Sequence, residues 1–68
     1  MAKDNWEIFI DSCVEREDIK KCKKYKEVYN IIHTMLKPYK GKVSDGKIKA
    51  IADDATESVC LRMGIAQD

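Results

Sequence analysis

Between residues 19 and 36 apolar side chains recur at steps of three and four: Ile19, Cys22, Tyr25, Val28, Tyr29, Ile32, Met35 and Leu36. At about 100° per residue they fall on one broad face, which is the signature of an amphipathic helix. Lys20, Lys23, Lys26, Asn30, Thr34 and Lys37 fall on the other face. Asp18 is placed to cap the segment. Pro38, the only proline, ends it, because the residue before a proline is driven out of helical backbone. With only three glycines besides, the chain has too little punctuation for many short strands.

Two further segments read as helices. Ser44 can cap the last one and Asp45 adds negative charge to its first turn. Its stripe is Ile48, Ile51, Ala52, Ala55, Val59 and Met63, and the two alanines would let a neighbouring backbone approach closely. Gly64 stands where a left-handed residue ends a helix, with Ile65 after it in the position that makes an apolar contact. In the first segment Trp6, Phe9, Ile10, Cys13 and Val14 form a helical stripe, with Asp4 or Asn5 as cap. Trp6, Ile8 and Ile10 also alternate, so a strand is the competing reading there, paired with a hairpin at Val43–Ile48 turning on Asp45-Gly46.

The expected architecture is therefore all-α: a small three-helix bundle in a single domain over residues 1–68, with helices near 5–16, 18–37 and 45–63. The alternative is one helix running from Asn5 to Lys37, in a long helical hairpin that oligomerises. The centre of the stripe shifts by about 80° between the first and middle segments, which favours a break near Arg16-Glu17-Asp18.

At 68 residues the core is small. Domains of this size seldom hold more than about 3–5 kcal/mol without disulfides, metal or assembly. Cys13, Cys22 and Cys60 are odd in number and show no CxxC spacing, which speaks against a secreted disulfide scaffold. With His33 they make four metal-ligand types, but not in the closely spaced pairs of compact zinc sites, so no cofactor or metal is expected. No cysteine is marked as activated, and no catalytic constellation is present; the expectation is a protein that is not an enzyme. The longest apolar run is Ile8-Phe9-Ile10, too short for a membrane, and Met1-Ala2-Lys3-Asp4 begins no secretory signal. A reduced, cytoplasmic protein is expected.

The formal net charge of +1 excludes nucleic-acid binding by bulk charge, but it conceals an uneven layout. Residues 1–18 carry a net of −4, residues 19–42 carry +7 and residues 43–68 carry −2. The basic middle can pack between acidic neighbours. It can also grip an anion: Lys20, Lys23, Lys26 and Lys37 share the exposed face, and His33, four residues before Lys37, borders it. A nucleotide or nucleic acid held by its phosphates is one candidate partner, with tyrosines beside the lysines able to stack on a base. Gly41–Ile48 nearly matches a phosphate-binding loop, but Ile48 replaces the hydroxyl residue that would hold Mg²⁺. The stretch from Ala55 to Gln67 is faintly similar to the first helix and turn of a helix-turn-helix, with no recognition helix after it.

Ile8 and Leu61 lie off their stripes. Together with Ile65 they are candidate interface residues for a protein partner or a second copy of the chain. The leading expectation is a small helical interaction protein that self-associates and inhibits or adapts another macromolecule. The alternative is a binder of a phosphate-bearing ligand through the lysine face.

Overall fold

The computed structural model describes residues 4–65. Lys3 of the acidic first segment and Ala66-Gln67 of the helix-turn-helix likeness lie outside the described residues. The chain is all-α. It comprises α1 (Asn5–Glu15), a single-turn α2 (Glu17–Lys20), α3 (Tyr25–Met35) and α4 (Asp45–Met63), with a 3-10 turn at Lys37–Tyr39 between α3 and α4.

Helix α1 starts where the sequence places it. The Asp4 carboxylate accepts from the Glu7 N–H at 2.8 Å, satisfying one donor that the first turn leaves open. The strand reading of Trp6–Ile10 is therefore incorrect, and so is its hairpin partner, since Asp45-Gly46 opens α4. Local alternation over three residues gave way to the longer stripe, because Ile10 and Cys13, three apart, are the residues that α1 buries.

The expected middle helix over 18–37 is divided. Arg16 is extended (ψ 137°) and separates α1 from α2, and Lys24 is extended (ψ 149°) and starts α3. Asp18 is inside α2 instead of capping a long helix. Its two carboxylate oxygens take the Arg16 Nε and Nη2 at 3.0 Å each, which, with the Ile19 N–H, holds its pKa below the usual carboxylate range. The second break has a physical cause. A continuous helix would stack Lys20, Lys21, Lys23 and Lys24 at spacings of three and four, and like charges there are destabilising. The backbone opens instead, and the Glu27 carboxylate accepts from the Lys23 and Lys24 N–H groups at 3.0 and 3.1 Å. The stripe is retained across the break: Ile19, Cys22, Val28, Ile32 and Leu36 all reach the core.

Helix α4 spans the residues expected of it. Ser44 Oγ accepts from the Lys47 N–H at 3.3 Å, and Gly64 ends the helix at φ +76°. The Ile65 N–H donates to the Cys60 carbonyl at 2.9 Å, closing the terminal turn.

Packing converges on α4, which both α3 and α1 contact. Tyr25 at the start of α3 meets Asp53, whereas His33 near its end shares a cleft with Ile48 and Lys49; the two helices are antiparallel. From α1, Trp6 and Phe9 share a groove with Ile48 and Ile51, and Asp11 pairs with Arg62. Because two neighbours cover it, α4 buries more than the single stripe. Thr56 and Cys60 are also inside, the Thr56 hydroxyl donating to the Ala52 carbonyl at 2.6 Å. Among the described residues no helix is long and apolar enough to cross a membrane.

Candidate functional sites

The turn from Leu36 to Val43 positions two surface features. Pro38 forbids continuation of α3, and the chain tightens into the 3-10 turn, then reverses at Gly41 (φ +98°), a backbone conformation suited to glycine. The Tyr39 carbonyl accepts from the Lys42 and Val43 N–H groups at 3.0 and 3.2 Å, which fixes the reversal. Neighbouring residues of this turn then line two separate depressions on α4, Lys40 the one and Tyr39 the other.

One is a cleft of about 370 Å³ lined by His33, Lys37, Lys40, Asp45, Ile48 and Lys49. His33 and Lys37, paired in the sequence by their spacing, do meet here. Lys40 and Lys49 join them, and neither was singled out from the sequence, because each belongs to a different element. The ring of His33 stacks on Tyr29 with centroids 5.8 Å apart, which orients the imidazole. None of the three lysines forms a salt bridge among the described residues. Asp45 is the one acidic side chain on the wall, and it offsets part of the cationic field an anion would meet.

The other lysines of the expected face are elsewhere. Lys20 is on α2, Lys23 is in the connection after it, and Lys26 is in the first turn of α3, beside Tyr25, Tyr29 and Asp53. All are exposed, but the break at Lys21–Lys24 removes the common helical face that would have aligned them with Lys37.

The other depression is an apolar groove of about 280 Å³, lined by Trp6, Phe9, Leu36, Tyr39, Val43, Ile48 and Ile51. At its rim Trp6 is 40% exposed and Tyr39 53% exposed. Trp6 leans on Phe9 with ring centroids 5.9 Å apart at 45°. Large aromatic surface left open over an apolar floor is what a docking site presents before it is filled. Sequence spacing could not bring Tyr39 to Trp6, which belong to different elements. Ile48 forms part of both the groove and the cationic cleft, so the two adjoin on α4.

The expected interface residues divide. Ile8 is 51% and Leu61 75% exposed, each pointing away from the core. Ile65 is half-buried and packs against the core from the end of α4. The cysteines are all buried thiols, and burial pushes each above its ordinary pKa. Such a thiol is a poor nucleophile at neutral pH. Comparison with known proteins finds no matching family, no similar curated protein and no similar solved structure.

Proposed function

We propose that this chain is a small, non-catalytic helical interaction protein that binds another protein and inhibits or adapts it. The observation that carries this reading is the groove with Trp6 and Tyr39 open at its rim. Aromatic anchors in an apolar depression supply most of the energy of protein docking, and burying the exposed parts of two such rings is a substantial gain. The exposed Ile8 and Leu61 lie outside this groove and suit self-association, which would add stability to a core this small. A cytoplasmic setting fits three unpaired cysteines.

The test is differential capture. The intact chain and a Tyr39→Ala variant are exposed to the same lysate, and retained proteins are quantified by native mass spectrometry. A partner retained by the first and lost from the second supports the reading; equal retention by both overturns it. Sedimentation of the chain alone tests self-association, and a monomer at tens of micromolar would exclude it.

A second reading rests on the cleft that joins His33 and Lys37 to Lys40 and Lys49. Three lysines and an imidazole around one depression can hold a phosphate-bearing ligand such as a nucleotide. Binding of this kind is salt-sensitive and is lost in Lys37→Glu with Lys49→Glu. Lys23→Glu with Lys26→Glu, both outside the cleft, leaves it intact.

A further inference from the structure

The charge that lines the cationic cleft is not balanced within it. Lys37, Lys40 and Lys49 stand against Asp45 alone, an excess of two positive charges. All four residues are exposed, and none of the three lysines is in a salt bridge among the described residues. Two other polar depressions are balanced. Arg16 pairs with Asp18 in one, and Lys26 shares the other with Asp53. The excess is also focal. Its lysines come from the 3-10 turn, the loop after it and the second turn of α4, yet they line a single depression. Toward the start of α3, the next depression beside α4 is the one where Lys26 is matched by Asp53.

We propose that this cleft binds a small organic phosphate monoester, a sugar phosphate or a nucleoside monophosphate, with its phosphate among Lys37, Lys40 and Lys49. This rests on the phosphate reading above and narrows it to one class of phosphate. A monoester carries about −1.5 to −2 charge at neutral pH, which matches the excess on the walls. A diphosphate or triphosphate brings more negative charge than the walls offset, with Asp45 among them. A volume of about 370 Å³ falls in the range of sites for small organic ligands, so the cleft has room for more than the phosphate itself.

A nucleic acid fits less well. Its diester backbone carries one charge per phosphate, and binding gains strength from contacts to several phosphates in a row. The positive charge here does not continue in a row beyond the cleft, because Asp53 cancels Lys26 in the next depression. Nor is His33 a free platform for stacked bases. Tyr29 already covers one face of its ring, which leaves a ligand the other face or the edge that carries the ring nitrogens.

The experiment is an NMR titration of the full chain. His33 is the only histidine, so its ring-proton signals report on the cleft without ambiguity. At about pH 7.5, where a monoester is doubly charged, AMP and ribose 5-phosphate should shift these signals saturably. Cyclic AMP, a singly charged diester of nearly the same shape, should bind about tenfold more weakly. Lys37→Glu with Lys49→Glu should abolish the shifts, and Lys23→Glu with Lys26→Glu should leave them. Asp45→Asn, which raises the excess to three, should move the preference from AMP toward ADP. Equal binding of AMP and cyclic AMP, or tighter binding of an oligonucleotide lacking terminal phosphates, would overturn the monoester assignment while leaving a phosphate site. A phosphoserine peptide that binds more tightly than AMP and ribose 5-phosphate would assign the cleft to a protein partner and overturn the small-molecule assignment. Shifts from inorganic sulfate equal to those from AMP would mean an adventitious ion only and overturn the proposal. No saturable shift from any of these probes would overturn the phosphate reading as well.

Discussion

The Tyr25 hydroxyl donates to Asp53 Oδ1 at 3.1 Å and lies 3.3 Å from the Asp53 carbonyl oxygen, tying the first turn of α3 to the middle of α4. Partial burial, with the carboxylate as acceptor, pushes the tyrosine pKa from 10 to about 12. The folded state therefore holds this proton more tightly than the unfolded chain does. The contribution is complete below pH 10 and is lost as pH rises from 10 to about 12. Urea midpoints should fall across that window more steeply in the parent than in Tyr25→Phe, the lysines titrating alike in both. Parallel curves for the two proteins would dissociate Tyr25 from the alkaline loss.

Ile32 of α3 is fully buried in the core, whereas Leu61 of α4 is 75% exposed. Ile32→Ala should cost about 2–5 kcal/mol. Against the roughly 3–5 kcal/mol a core of this size supplies, that leaves the chain largely unfolded at room temperature by circular dichroism. Leu61→Ala should change stability by no more than about 0.5 kcal/mol.

The two glycines of α4 and its end should respond with opposite sign to the same substitution. An added methyl meets no atom within 4 Å at Gly46 or at Gly64. Gly46 has ordinary helical backbone, so Gly46→Ala should stabilise by up to about 1 kcal/mol. Gly64 sits at φ +76°, and Gly64→Ala should cost about 1–2 kcal/mol through backbone alone. Ser44→Ala, which removes the cap of α4, should cost about 1 kcal/mol. Thermal melts of the three variants give the signs directly.

Cys13 and Cys60 have no exposed surface and Cys22 is 9% exposed. Native labelling with a thiol reagent should proceed first at Cys22, with Cys13 and Cys60 reacting only as fast as the fold opens. In urea all three should label together. Prompt native labelling of Cys60 would contradict the packing of α3 on α4.

The sequence by itself determined the helical class and both ends of α4, and narrowed the cap of α1 to Asp4 or Asn5. These depend on contacts within one turn: a cap side chain and the N–H three residues on, or a glycine and the carbonyls behind it. It also identified which residues of the middle segment are apolar and face inward. The division of that segment at Lys21–Lys24 was decided by competition between a continuous helix crowded with lysines and the capture of two backbone N–H groups by Glu27. Periodicity cannot register that competition, because the stripe has the same spacing on either side of the break. The grouping of His33 and Lys37 with Lys40 and Lys49, and of Trp6 with Tyr39, was decided only by tertiary structure. Each set comes from separate elements and meets only because α3 and α1 both pack on α4, where the turn after α3 lends Lys40 to one set and Tyr39 to the other.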